Sequence, residues 1–111
     1  MYSWGNDINA TRANYPVSGL SQTRDVGYYA ANPLGFFDMH GNVREWTADW
    51  YAVYSSVSQA DPTGSPSGSL RVDRGGSYGD IAAYLRSAHR WGTNPSVRSV
   101  GIGFRVGFQQ Q

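Results

Sequence analysis

Two carboxylates, Asp38 and Glu45, flank the turn residues His40-Gly41-Asn42 within the run Gly35-Phe36-Phe37-Asp38-Met39-His40-Gly41-Asn42-Val43-Arg44-Glu45-Trp46. A glycine turn between two acids can fold main-chain carbonyls inward between the carboxylates. An all-oxygen arrangement of this kind suits a hard cation. The other titratable candidates are sparse. There are two histidines, His40 and His89, too few for a metal triad without carboxylate help. There is no cysteine, which removes disulfides, thiol nucleophiles and zinc-thiolate sites and leaves the redox compartment open. The competing reading of Asp38 and Glu45 is structural: a turn cap and a partner for Arg44, Arg74 or Arg86. For His40 the competing reading is a turn residue beside Gly41.

The elements that must position these groups are short. The chain has 111 residues, enough for one domain that buries roughly 65% of its unfolded surface. Glycine is abundant at 14 residues and aromatics make up 14%. Leu, Ile and Met are scarce, so short strands and long ordered loops are expected, with aromatics supplying the buried area. β-forming residues predict a strand through 45–50. A second strand over 70–78 is interrupted by the pair Gly75-Gly76. Further strands are expected at 85–91 and 102–108, with loops at 55–69 and 92–100. Residues 25–29 read as a short extended piece, and 79–84 as a loop or a single helical turn. Turns are expected at Asn32-Pro33-Leu34-Gly35 and Asp61-Pro62-Thr63-Gly64.

All nine positive charges are arginine, and the net charge is +1. That balance offers no global field for nucleic acid or a membrane surface. No apolar run approaches the roughly 20 residues that a spanning helix needs. Arginine has a planar fork of donors and a weakly hydrated charge, so many of these residues are expected to be internal struts. They would bond loop carbonyls and Asp49, Asp61 or Asp73, with an anionic ligand pocket as the functional alternative. Trp4, Trp46 and Trp50 are expected in the core. Trp91 is the tryptophan expected nearest the surface.

The ordered motifs resemble those of the formylglycine-generating enzyme (sulfatase-modifying factor) family. They begin at Tyr2-Ser3-Trp4-Gly5-Asn6 and Asn14, and continue through the stretch from Asn32 to Trp46. They then pass Arg71-Val72-Asp73-Arg74-Gly75-Gly76-Ser77-Tyr78 and Arg86-Ser87-Ala88-His89-Arg90, ending at Gly103-Phe104-Arg105-Val106. The resemblance implies an α+β, C-type-lectin-like fold with little helix. It places residues 1–111 as a single domain corresponding to the C-terminal half of full-length members. An incomplete domain leaves apolar surface uncovered, so self-association or a partner subunit is expected.

The resemblance also implies a chemistry and a set of ligands. The family oxidises a substrate thiol with a cysteine pair lying between the Gly-Gly-Ser strand and the following arginine block. Here that interval, residues 79–85, holds no cysteine, so thiol oxidation is not expected. The family's structural calcium would fall on the side chains of Asp38 and Glu45 and the carbonyls of Gly41 and Val43. A second site would fall on Asn14, Tyr15, Ser18 and Leu20, weakened because Ser18 stands where an acid is common. A further resemblance is to targets of diversity-generating retroelements, which carry an Arg-Gly-Gly-Ser strand, scattered substituted positions and a terminal Gly-Phe-Arg. It implies a ligand-contacting surface on Tyr78, Asp80, Ile81, Tyr84, His89, Trp91, Thr93 and Val97. The resulting expectation is a noncatalytic binding or scaffold module with structural calcium and a protein or glycan ligand. One alternative is the C-terminal part of a family enzyme or accessory protein that needs further sequence or another subunit. The other is a metal-dependent enzyme built on Asp, Glu and His.

Overall fold

The computed structural model describes residues 1–58, 60 and 62–108. Its regular structure is a four-stranded sheet in the order β3-β2-β1-β4. Strand β1 is Arg44–Trp50, β2 is Arg71–Arg74, β3 is Trp91–Thr93 and β4 is Ile102–Gly103. The pairs β1/β2 and β2/β3 are antiparallel, and β1/β4 is parallel. The β1/β2 register shifts between Trp46 and Trp50, so β1 bulges midway. Two single-turn 3-10 helices, Pro16–Ser18 and Ala82–Leu85, interrupt the loops. Among the described residues, no helix is long and apolar enough to cross a membrane.

Strand β1 begins one residue before its expected start. The expected strand at 70–78 stops at Arg74, because Gly75 and Gly76 both take positive φ (88° and 72°) and turn the chain away from the ladder. The turn at Asn32-Pro33-Leu34-Gly35 forms and closes with the Gly35 N–H donating to the Asn32 carbonyl at 2.8 Å. Four expectations fail. Residues 85–91 are not a strand: Leu85 ends a 3-10 turn and residues 87–88 turn again. Strand β3 instead forms at 91–93, running into the expected loop at 92–100, because Val72 and Asp73 pair with Gly92 and Trp91. The closing strand shrinks to two residues. The stretch 25–29 bends at Gly27 (φ 74°) rather than extending. Asp61 lies outside the described residues, and with it the expected turn at 61–64.

The core lies where the N-terminal segment folds over the second 3-10 helix. Tyr2, Ala13, Tyr15 and Leu85 are buried together, with Trp4, Ile8 and Ala82 packed against them. The Tyr2 hydroxyl donates to the Ala82 carbonyl at 2.9 Å, and the Ser87 N–H donates to the Met1 carbonyl at 3.2 Å. Leu85 has no exposed surface and sits directly on Gly76, where a Cβ would meet its side chain. Away from this core a second apolar set stays exposed, including Phe36, Phe37, Phe104, Val106 and Phe108. Truncating Leu85 to alanine deletes the centre of a small core, so Leu85→Ala is expected to cost about 2–5 kcal/mol of unfolding free energy. Urea denaturation of the purified chain measures this, and a loss below about 1 kcal/mol would show that the core lies elsewhere.

Candidate functional site

The carboxylate turn takes an unusual backbone path. Asp38 (φ 53°), Gly41 (φ 79°) and Asn42 (φ 67°) all occupy the left-handed region, which side-chain-bearing residues rarely adopt. Gly41 lies against the main chain of Asn14, and a Cβ at 41 would collide with the Asn14 carbonyl oxygen. Asn42, buried, holds the turn in place. Its N–H donates to the Asn14 carbonyl at 2.8 Å, and its carbonyl accepts from the Tyr78 N–H at 2.9 Å. Its side-chain oxygen accepts from Asn14 Nδ2 (3.1 Å) and the Arg24 N–H (2.8 Å), while its own amide donates to the Arg24 carbonyl (3.1 Å). The Gly41 N–H donates to the Gly75 carbonyl at 2.8 Å.

This path brings all four residues of the first expected cation set to one cleft of about 480 Å³. Asp38, Gly41, Val43 and Glu45 line it together with Val26, Phe37, Phe104 and Arg105. Among the described residues, the carbonyls of Gly41 and Val43 accept no backbone hydrogen bond. Asp38 Oδ2 accepts the Gly27 N–H at 2.6 Å. Glu45 is engaged by Arg105, whose Nε and Nη2 reach its two oxygens at 2.9 and 2.6 Å. Arg105 Nη2 also reaches the Asp38 carbonyl at 3.4 Å. That bidentate pair, together with desolvation opposing it, leaves the Arg105 pKa raised above its ordinary value. The arginine partner expected for Glu45 was Arg44, Arg74 or Arg86, and the structure assigns Arg105 instead. Parallel pairing of Glu45 with Gly103 accounts for it, because Arg105 follows two residues later on the same side. The donor set is entirely oxygen and fits a hard cation, with the guanidinium as its competitor.

The second expected set, Asn14, Tyr15, Ser18 and Leu20, surrounds the first 3-10 helix. Ser18 donates to two oxygens of the set: its hydroxyl to Asn14 Oδ1 at 2.8 Å and its N–H to the Tyr15 carbonyl at 2.8 Å. Asn14 links this set to the carboxylate turn, since its carbonyl and side chain bond Asn42.

The third set spreads over residues 78–97, across the second 3-10 helix, β3 and the loops around them. Tyr84, His89 and Trp91 form one aromatic cluster with ring centroids 4.8 to 5.2 Å apart. The Arg44 guanidinium lies 5.2 Å from the Trp91 ring centroid. Trp91 is half-buried, not freely exposed. Ile81 and Val97 are exposed, while Tyr78 and Thr93 are half-buried. Asp80 is internally bonded: it accepts from the Ser77 N–H and hydroxyl and from Arg44 Nε, each at 2.9 Å. Arg44 also approaches the fully buried Asp73 at 3.8 Å. Sequence reasoning missed Asn42, Arg24 and Arg105 at these sites. Only Arg105 left a usable signal, the Gly-Phe-Arg motif after β4.

Neither histidine joins a metal cluster: among the described residues, no three His, Cys, Asp or Glu side chains come together. His40 is a buried strut rather than a simple turn residue. Its Nδ1 lies 2.5 Å from the Leu85 carbonyl, and its Nε2 accepts the Ser3 N–H at 2.9 Å. Burial lowers its pKa, partly opposed by the bond to Leu85. Burial also lowers the pKa of His89, reinforced by Arg86 and opposed by Asp80.

Residues 1–109 match the family model described as the sulfatase-modifying factor enzyme 1-like domain. The chain belongs to this family. It is 34% identical over 122 residues to the mouse formylglycine-generating enzyme, an alignment covering 95% of this chain and 33% of the enzyme. It is 40% identical over 108 residues to the serine/threonine-protein kinase Pkn1 of Chlamydia trachomatis, covering 94% of this chain and 17% of that protein. The solved structure of Treponema denticola variable protein 1 superposes with a TM-score of 0.83 at 34% identity, covering 94% of this chain and 40% of that one. The family's α+β, C-type-lectin-like fold of short strands and long loops is therefore the fold of this chain. The chain spans between 17% and 33% of the length of these two curated relatives. The sequence contains no cysteine and no lysine.

The two lowered histidine pKa values set a pH dependence. The folded state prefers neutral imidazole, so this contribution is fully present above the unfolded pKa of about 6.5. It is lost as pH falls through the lower folded values. Melting temperature is expected to fall between pH 7 and pH 5, with a shallower fall in His40→Gln. A profile that is flat over this range, or unchanged by the substitution, would contradict the burial argument.

Proposed function

We infer that this chain is a noncatalytic, C-type-lectin-like binding or scaffold module. In this reading calcium stiffens the 38–45 turn, and the surface around Tyr84, His89 and Trp91 contacts a protein or glycan ligand. The observation that carries it is Asn42, which bonds the turn to Asn14 on one side and to Tyr78, at the start of the ligand loop, on the other. Stiffening the turn therefore stiffens the loop that presents the aromatic cluster. Asp38, Glu45 and the carbonyls of Gly41 and Val43 would hold the ion, whose role is to replace the Arg105 guanidinium as the centre of positive charge. Arg105 must give up Glu45 for that to happen. Likeness to a protein named a variable protein supports recognition through the 78–97 surface, in the manner of diversity-generating retroelement targets.

The second reading is that of a C-terminal part of a formylglycine-generating-enzyme-like protein acting with further sequence or another subunit. It is favoured by the exposed Phe104, Val106 and Phe108, which an added segment or a second copy would cover. Self-association belongs to both readings.

Thermal melts with calcium and with chelator test the first reading. Calcium at about 100 times its Kd adds about 2.7 kcal/mol, a rise of several degrees for a domain of this size. Glu45→Ala is expected to abolish the calcium-dependent rise whatever it does to the baseline. No rise in the parent chain would remove calcium from the proposal. Light scattering at micromolar concentration separately tests association, and a strict monomer would count against it.

A further inference from the structure

A second cleft, of about 620 Å³, lies on the far side of the bulge in β1 from the carboxylate turn. Its walls include Asp49, Trp50, Tyr54, Pro66, Arg74 and Arg90. The volume suits a ligand of one or two sugar rings. Two guanidiniums line the one space, and among the described residues neither forms an ion pair with a carboxylate. Both are held in place by other means. Arg90 donates to the Ala52 carbonyl and lies 3.7 Å from the centroid of the Tyr54 ring and 4.7 Å from that of Tyr51. Arg74 donates to the Ser87 carbonyl at 3.1 Å and reaches the Tyr54 hydroxyl at 3.4 Å.

Each guanidinium thus has part of its fork fixed by a carbonyl or a ring, with further N–H groups available. A guanidinium with spare donors, paired with no acid among the described residues, matches a planar or tetrahedral anion. Tyr54 bonds one arginine and stacks with the other, so it sets the spacing between them. Trp50, Val53 and Pro66 supply apolar walls for a ring. Asp49 also lines this cleft, with its carboxylate against Gly64. An acid there disfavours a ligand that is anionic throughout and accepts hydrogen bonds from hydroxyls.

We propose that this cleft binds an acidic sugar, with its carboxylate on Arg74 and Arg90, its ring against Tyr54 and Trp50, and a hydroxyl on Asp49. The site is separate from the calcium turn and from the Tyr84–His89–Trp91 cluster, so it stands whether or not those proposals survive.

Isothermal titration of the full chain with glucuronate, glucose and inorganic sulfate tests it. Glucuronate is expected to bind, to weaken as sodium chloride is raised, and to bind at least about tenfold more tightly than glucose. Arg90→Gln and Arg74→Gln are each expected to weaken glucuronate by about tenfold or more. Arg90→Lys keeps the charge but loses the fork and the stacking, so it should fall between the two. A dispersed amide NMR spectrum confirms that each variant is folded. If Arg90→Gln does not fold, the salt dependence and the glucose comparison on the parent chain still decide the matter. No binding of glucuronate, equal binding of glucose, or sulfate binding as tightly as glucuronate would overturn the assignment.

Discussion

The structure depends on the close approach of the 41–42 turn to the main chain of Asn14. Three residues in five hold positive φ there, a strain of roughly 1–3 kcal/mol for each that carries a side chain. Such a path persists only where the surroundings over-determine it. Asn42 supplies that restraint with both of its backbone groups and both ends of its side-chain amide. Through it the loops at 14–24 and 77–78 become one unit with the start of β1.

The same logic explains the arginines. Strands of two to seven residues leave many loop carbonyls without ladder partners. Arg74 and Arg90 each donate to such a carbonyl, while Arg71 donates to Ala48 in the bulged part of β1 and Arg86 to Ala83 in the second 3-10 helix. Arg44 and Arg105 do different work, each joining parts of the chain distant in sequence through a carboxylate. Lysine, a single point donor on a flexible stem, could not bond a carbonyl and stack on a ring at once. Arg71 and Arg90 do both, against Trp50 and Tyr54. Of the acids expected to partner an arginine, Asp73 is approached by Arg44, Asp49 pairs with none among the described residues, and Asp61 lies outside them.

Much of the architecture was legible because it rests on residue types with narrow physical uses. Glycine abundance, clustered aromatics and a lysine-free set of arginines pointed to short strands and braced loops. The ordered motifs pointed to the family. Helix and strand limits after Leu85 were not legible. Residues 85–91 have strand-like composition, but Leu85 is drawn into the core against Gly76, and the chain must turn twice before it can reach β2. The closing strand ended early because, among the described residues, β4 has only β1 beside it and no partner on its outer edge.

The sequence alone determined that Asp38, Gly41, Val43 and Glu45 form one local unit, because they lie within eight residues around a glycine turn. It also determined that thiol chemistry has no residue to run on. Tertiary structure decided what faces that unit. Arg105 lies 60 residues from Glu45 and arrives only because β4 pairs in parallel with β1. The meeting of Tyr84, His89 and Trp91, and that of Arg74 with Arg90 around Tyr54, were decided in the same way. Each depends on sheet pairing and loop path, which residue spacing does not encode.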